Sequence, residues 1–508
     1  MKKTEKSNAH LFENKNIWLD QSFHDIQGTS PVIFLTFKDI KVSDWDTAYR
    51  HFISVIAAEF RRHAAMVTPK LDSFELAHYL ALAHQQADLI AYRESLHFLT
   101  KVLYNVHGKK AILLLDEYDT PINVAYAHGY YDDIIMFVNG LLGAGLKDNQ
   151  YLALGVLTGI MRTAKEGIFS GLNNLSVYTV LHEKFSDKFG FTQEEVDVLL
   201  HEYHLDKKQH EIRQWYNGYL FGTSSIYNPW SVLNCINDDG TLSLYWTSTS
   251  DNAIIKKLIA QADEDTKSEL ENLLHLHPTP NKHIEEGIVF SDLPKDPHVL
   301  WSFLLYAGYL TTAHQPKING KMSASLIIPN KELFMLYRDL ITKSFNEILI
   351  AGKVKDLLNA LTTGDSTTMS ELLQEFVINA MSVHDLPADQ PERSYHLFVL
   401  GLLVLLSDQY EVQSNRESGY GRYDIMLMPK NSDHAGVVIE FKKAQPSQTL
   451  HTVAQDALRQ INQRAYAQAL RAKGVSKIYC YGIAFRGKEL SMAMEDFASS
   501  QQRLDFFV

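Results

Sequence analysis

Three short apolar runs, separated by helix-length sequence, constrain the fold more than any other feature of this chain. Pro31-Val-Ile-Phe-Leu-Thr-Phe37 is rich in β-branched and aromatic residues, is flanked by polar ones and is too short for a helix, so it reads as a buried strand. Ala111 to Leu115 and Tyr151 to Leu157 read the same way. Between the first two, Tyr49, Phe52, Ile53, Ile56, Ala57 and Phe60 recur at helical spacing, and helical pattern continues to about Val106. A further helix near 131–146 separates the second run from the third. Strands that alternate with long helical segments predict a parallel sheet covered on both faces.

The chain is too long for one such unit. At roughly 150 residues per domain, its 508 residues make about three. With 45% hydrophobic and 21% charged residues, wholesale disorder and low-complexity architecture are excluded. Two cysteines, Cys235 and Cys480, indicate a reducing compartment and no thiolate metal site. The longest apolar run, Leu397 to Leu406, is about half of what a bilayer-spanning helix needs. Met1 to Trp18 has lysines but no apolar segment after them, so it is no secretory signal. The expected location is the cytoplasm, with no membrane partner.

A net charge of −12 argues against a protein that coats nucleic acid electrostatically. The charge is uneven, however. Residues 391–508 hold 14 basic and 12 acidic residues, which leaves −14 for residues 1–390. Any nucleic-acid contact is therefore expected at the C-terminal end.

From about 183 to 390 the pattern is mainly helical, with polar breaks at Asn237–Gly240 and His277–Pro297. The last stretch predicts a helix at 391–407, strands at 409–415, 422–428 and 436–442, a helix at 452–472 and a strand at 477–484. No internal repeat is visible.

Leu113-Leu114-Leu115-Asp116-Glu117 has the form of a Walker B element. A buried strand there delivers an Asp that can hold Mg²⁺ and a Glu that can orient or deprotonate a water, and Asp119 adds a third carboxylate. Acidic residues also simply end buried strands at solvated loops, and the string is a common one. The G-x-x-x-x-G-K-[ST] loop that should precede it is absent: Gly108-Lys109, Gly320-Lys321, Gly352-Lys353 and Gly487-Lys488 are all followed by residues other than Ser or Thr. Ahead of the first strand there is a single glycine, Gly28.

Residues 31–235 resemble the AAA-ATPase-like domain of bacterial proteins that also carry a C-terminal PD-(D/E)XK nuclease domain. The matching strings begin with Pro31-Val-Ile-Phe-Leu-Thr-Phe-Lys38-Asp39 and Leu113-Leu-Leu-Asp-Glu-Tyr-Asp-Thr-Pro121. They continue through Leu157-Thr-Gly-Ile-Met-Arg162-Thr-Ala-Lys165-Glu166-Gly-Ile-Phe-Ser-Gly-Leu-Asn-Asn174, Trp215-Tyr-Asn-Gly-Tyr219 and Tyr227-Asn-Pro-Trp230. The resemblance implies that Asp116 and Glu117 are the Walker B pair and that Arg162 sits near the γ-phosphate. It also implies a Gly-Lys-Ser/Thr loop ahead of residue 12, in a segment that reads as missing. Without that loop, the expectation is a chain that neither binds nor hydrolyses ATP unless another polypeptide or an upstream fragment supplies the loop.

At the other end, Asp424 follows Gly421-Arg422-Tyr423, and sixteen residues later Glu440-Phe441-Lys442 closes the strand begun by Val437-Val438-Ile439. Positions i and i+2 of a strand share a face, so Glu440 and Lys442 point the same way. A hairpin near 429–435 would set Asp424 beside Glu440. Two carboxylates, the Phe441 carbonyl and waters are the hard oxygen ligands that Mg²⁺ prefers, with Mn²⁺ as a substitute. Such a metal lowers the pKa of a bound water and offsets charge on a reacting phosphate, while Lys442 can position that water. The following helix carries Gln460 and Tyr466, with Arg459, Arg464 and Arg471 as candidate phosphate contacts. Glu411 and Glu417 are candidate auxiliary acids.

Asp…Glu-x-Lys…Gln on strand, strand and helix resembles the PD-(D/E)XK nuclease superfamily. The string Ser414-Asn-Arg-Glu-Ser-Gly-Tyr-Gly-Arg-Tyr-Asp424, with Glu440-Phe-Lys442, is similar to the nuclease domain that accompanies the ATPase-like domain. The resemblance implies Mg²⁺-dependent hydrolysis of DNA, with Asp424 and Glu440 as metal ligands, Lys442 positioning the nucleophile and Gln460 supporting the site.

The expected architecture is an α/β multidomain chain. It has a P-loop NTPase-like parallel sheet with helices in an ATPase-like domain lacking Walker A (1–235), a mainly helical middle (236–390) and a PD-(D/E)XK restriction-endonuclease-like domain (391–508). Two alternatives stay open. One is a non-catalytic nucleic-acid or protein-binding switch module, in which Glu440 merely pairs with Lys442 or Arg422. The other is an NTPase completed in trans by a separate P-loop segment. The twenty-two histidines include no H-E-x-x-H, and the close pairs His201/His204 and His275/His277 read as surface or loop residues. The aromatic residues Trp215, Tyr216, Tyr219, Tyr227, Trp230, Tyr245 and Trp246 suit base stacking or packing of the helical middle onto the first sheet.

Overall fold

A computed structural model describes residues 8–160, 175–246, 264–274, 277–287, 297–314, 317–318, 322–348, 351–383, 401, 405–415, 423–431, 433–463 and 466–497. The chain divides into two units, one built from Met1–Ser186, Lys282–Leu310 and Gln315–Ala324, the other from Asp187–Asn281, Thr311–His314 and Ser325–Val508.

In the first unit the three apolar runs are strands β1 (Val32–Thr36), β2 (Ala111–Asp116) and β3 (Leu152–Leu157). They pair in parallel in the order β1-β2-β3. Helices α1 (Trp45–Val67), α2 (Ser73–Ala83) and α3 (Leu89–His107) connect β1 to β2, and α4 (Thr120–His128) and α5 (Tyr131–Leu146) connect β2 to β3. Asp44, Asp72 and Asp88 start the first three of these helices, each accepting a backbone N–H of its first turn, as an N-cap must. Gly108 ends α3 with φ 62°, the left-handed conformation that glycine adopts without strain. Phe37, Phe52, Phe60, Leu96, Leu103, Leu113, Phe137 and Leu141 fill the core on one side of the sheet. The other side is only partly covered: Phe34, Leu154 and Val156 are 50%, 54% and 41% exposed. Among the described residues the expected cover on both faces is incomplete there, and β3, expected as a buried strand, has no fully buried residue because it lies at the side of the three-stranded sheet.

The outer edge of β1 is closed by side chains of α1. Glu59 accepts the Phe34 N–H at 2.9 Å, and Arg62 donates to the Val32 carbonyl at 2.6 Å while its Nε donates to Glu59 at 2.7 Å. An acceptor and a donor thus take the place of a neighbouring strand on an edge that would otherwise present unpaired backbone groups.

The second unit holds helices α6 (Gln193–Glu202), α7 (Gln209–Tyr216) and α8 (Pro229–Asn237). Tyr216 and Tyr227 are buried in a cluster of their own with Val196, Leu200, Ile212, Val232 and Ile236, whereas Trp230 is 53% exposed. Helices α9 (Lys331–Ile348), α10 (Ala351–Thr363) and α11 (Ser366–Val383) follow. The stretch read as mainly helical also contains a hairpin, Tyr219–Phe221 with Ser224–Ile226, and paired strands of two or three residues.

The C-terminal sheet has five strands, β4 (Tyr410–Asn415), β5 (Tyr423–Pro429), β6 (Gly436–Lys443), β7 (Ile478–Arg486) and β8 (Glu489–Asp496), in sequential order. All neighbours are antiparallel except the central pair β6–β7, which is parallel. Parallel neighbours need a crossover, and α12 (Leu450–Gln463) with α13 (Tyr466–Ala472) provides it. On that side Val438, Cys480, Ala484 and Ala493 pack under Val453, Ala454, Leu458 and Ile461. On the other, Val437, Ile439, Phe441, Tyr481 and Ile483 pack with Leu357, Leu361, Leu373 and Phe376 of α10 and α11. The strand β8 was not expected, and the helix read at 391–407 lies largely outside the described residues. Cys235 and Cys480 are free and buried, and burial pushes the Cys480 thiol up to about 12, so it stays protonated in the helix–sheet layer.

The edge closure makes the first unit sensitive to acid. Burial alone would raise the Glu59 carboxyl, but hydrogen bonds from His63, Arg62 and the Phe34 N–H outweigh it and hold the group below its ordinary value. A carboxyl depressed on folding stabilises above its unfolded pKa of about 4.3 and loses that contribution as pH falls through the lower folded value. Glu59→Ala is expected to cost about 2–4 kcal/mol in urea unfolding at pH 7, because Arg62 and the β1 edge lose their partner, and to flatten the acid limb of the stability profile. An unchanged unfolding midpoint would contradict this role.

Candidate active site

Strand β6 is buried at its first six positions, so its apolar run forms a central strand and carries Glu440 into the interior. The β5–β6 register sets residue 424 directly opposite Glu440, and the β6–β7 register sets Glu440 beside Gly482. Asn415 and Ala493 complete one row across all five strands. Glu440 is 0% exposed, and neither of its carboxylate oxygens has a hydrogen-bond partner. The side chain of Asp424 lies outside the described residues, as do Glu417, Arg422 and Arg464 and the side chain of Tyr466.

Lys442 stands two residues along β6 on the face of Glu440. It is half-buried, and its Nζ donates to the backbone carbonyl of Asp456 in α12 at 3.2 Å. Gln460 follows one helical turn later on the buried side of α12, 9% exposed, with its Nε2 unpartnered. The helix lies close because β7 has no side chain beneath it. A Cβ at Gly482 would stand 2.3 Å from the Ala454 oxygen and 2.5 Å from the Leu458 nitrogen. Sequence reading missed Gly482; a glycine inside an apolar strand was the available signal of a close backbone approach.

The remaining candidates separate. Glu411 pairs opposite Met428, about 13 Å along the strand from the 415–424 pair, and accepts a hydrogen bond from Gln413. Arg459 is one turn from Asp456 and ion-paired with it. Arg471 lies over the Phe497 ring on α13, and its neighbour Leu470 approaches Gly436, at the opposite end of β6 from Lys442. Arg459 is thus near the acidic row, and Arg471 is not.

An ionised carboxylate held from water with no hydrogen bond is costly, and a bound cation offsets the cost directly. The orphaned oxygens of Glu440 therefore fit a divalent metal. Among the described residues no three His, Cys, Asp or Glu side chains converge as a ligand group, the side chain of Asp424 not being among those described.

At the end of β2 the carboxylates are differently placed. Asp116 accepts from the hydroxyls of Thr36 at 3.0 Å and Thr158 at 2.8 Å, on the neighbouring strands β1 and just past β3. Glu117 has φ 55° and accepts from the Thr120 hydroxyl at 2.8 Å. Asp119 is buried against Gly159. Arg162 lies outside the described residues. The two threonines went unread as partners, although each sits at the end of a predicted strand.

A five-stranded sheet with a parallel central pair, a crossover helix on one face and an acidic residue sealed in mid-sheet defines a restriction-endonuclease-like α/β domain. Residues 390–495 match the family model of the PD-(D/E)XK nuclease superfamily, and residues 1–169 match that of a predicted AAA-ATPase. The chain thus carries an AAA-ATPase-like domain and a C-terminal PD-(D/E)XK nuclease superfamily domain. It is 25% identical over 500 residues, 93% of this chain and 87% of the relative, to a protein of Azotobacter chroococcum mcd 1 described as "Uncharacterized protein in vnfD 5'region". No solved structure gives a significant match.

Glu440→Gln keeps the shape and removes a group that can ionise in the interior. In chelator-treated protein it is expected to raise stability by about 1–3 kcal/mol. A thermal melt in which the variant is less stable than the parent would show that the carboxylate is already compensated.

Proposed function

We propose that the chain is a divalent-metal-dependent nuclease that hydrolyses phosphodiester bonds of DNA at its C-terminal domain. The observation that carries this reading is Glu440, sealed from water with both oxygens unpartnered, in register with Asp424. Asp424, Glu440 and the Phe441 carbonyl would hold Mg²⁺ or Mn²⁺. The metal, when bound, supplies an acidified water and a positive charge for the phosphate. Lys442 orients the nucleophile, and its amine is held by the Asp456 carbonyl in readiness for that task. Gln460 supports the row from the helix. Slight net positive charge in residues 391–508 supports DNA contact there. We take the functional parts as 1–235, 236–390 and 391–508. No helix of the described residues is long and apolar enough to cross a membrane, and we infer a cytoplasmic protein.

The test is cleavage of single- and double-stranded DNA and RNA with Mg²⁺ or Mn²⁺. Asp424→Ala, Glu440→Ala and Lys442→Ala should each lower DNA cleavage at least about 100-fold with circular dichroism unchanged. Activity equal to the parent in Asp424→Ala and Lys442→Ala would sink the site.

A second reading, an NTPase completed in trans, draws on the first unit. Strand β3 is an edge strand with exposed Leu154 and Val156, which suits the addition of a further segment. The chain has no Gly-Lys-Ser/Thr loop, and both Asp116 oxygens are engaged by threonine hydroxyls. Calorimetry of the pure chain with Mg-ATP should therefore show no micromolar binding. A micromolar affinity would overturn the view that the nucleotide site is incomplete.

A further inference from the structure

We infer that Gly482 is a positioning residue for Lys442, setting how closely α12 lies on the sheet. The inference rests on the nuclease reading for its catalytic consequence but on geometry alone for its substance. Gly482 is the β7 neighbour of Glu440. The backbone of α12 occupies the volume that any side chain there would need, with Ala454 O and Leu458 N at 2.3 and 2.5 Å from a would-be Cβ and the Ala457 Cβ at 3.1 Å. Because the obstructing atoms are helix backbone, no rotamer change relieves the clash. A larger residue moves the whole turn 454–458.

That turn contains Asp456, whose carbonyl holds the Lys442 amine at 3.2 Å. The next turn presents Gln460 on the buried side. Ala454 and Ala457, both fully buried, keep the helix side of the contact small as well. Lifting the helix therefore lengthens the Lys442–Asp456 hydrogen bond and withdraws Gln460, while Asp424 and Glu440, held by strand pairing, keep their register. The lysine loses its hydrogen bond to α12 and the acidic row stays assembled.

Gly482→Ala in the full chain tests this, with Ala457→Ser as the gentler displacement that adds one atom at the same contact. Ala467→Val, on α13 under the far end of the sheet, controls for overpacking the same apolar layer. Two readouts are taken. The first is acetylation of Lys442, followed by mass spectrometry in metal-free buffer, which requires no nuclease activity. It should become several-fold faster in Gly482→Ala and Ala457→Ser and stay at the parental rate in Ala467→Val. The second is DNA cleavage, where kcat should fall about ten- to a hundredfold with KM unchanged. Parental Lys442 labelling in folded Gly482→Ala or Ala457→Ser overturns the inference whatever the activity. A parent that labels slowly but cuts no DNA would defeat the nuclease reading and leave the positioning result standing on its labelling.

Discussion

The C-terminal sheet closes around an acidic group in its centre, the carboxyl of Glu440. Apolar residues on both sides of β6 exclude water from it. Hydrogen bonds that ordinarily compensate a buried acid are absent on both oxygens. Neighbouring features make sense as consequences. The antiparallel pairing with β5 brings a second acidic residue into register, the parallel pairing with β7 brings a glycine, and the missing Cβ lets the crossover helix settle over the row. A helix kept farther away would leave Lys442 without the carbonyl that fixes it.

The N-terminal sheet shows the opposite management of polar groups. Its Glu59 is also buried but accepts hydrogen bonds from Arg62, His63 and a strand N–H, and so works as a structural clasp. Asp116, where the sequence suggests a metal ligand, has a threonine hydroxyl on each oxygen. One edge of this sheet is thus satisfied by side chains, while the β3 edge keeps exposed apolar residues.

How much of this could be read in advance follows from burial. Strands β1, β2 and β6 were legible because continuous β-branched and aliphatic runs mark strands enclosed in a core, and β3 shows the same run although none of its residues is fully buried. The pairing of β5 with β6 through a short connection made the 424–440 juxtaposition predictable. Strand β8 was missed although Leu490, Met492 and Met494 alternate along it and pack partly buried against the core: three apolar positions between charged ends, on a strand whose one fully buried residue is Ala493, make a weak period-2 signal. Two-residue strands such as Lys282–His283 are too short to have a period at all. The sealing of Glu440 depends on β7 and α12 closing over β6, contacts between distant segments that leave no local trace, whereas the close fit at Gly482 left one, a glycine inside an apolar strand.

The two acidic groups also differ in what a cation would do for them. A carboxylate already holding two hydroxyl donors gains less from a cation than one with none, since the incoming ion must displace hydrogen bonds in the first case and only relieves a desolvated charge in the second. Asp116 belongs to the first kind and Glu440 to the second. Of the two acidic groups, Glu440 therefore has more to gain from a cation than Asp116. The charge balance points the same way, since an anion meets less repulsion over residues 391–508, which hold 14 basic and 12 acidic residues, than over the acidic remainder of the chain.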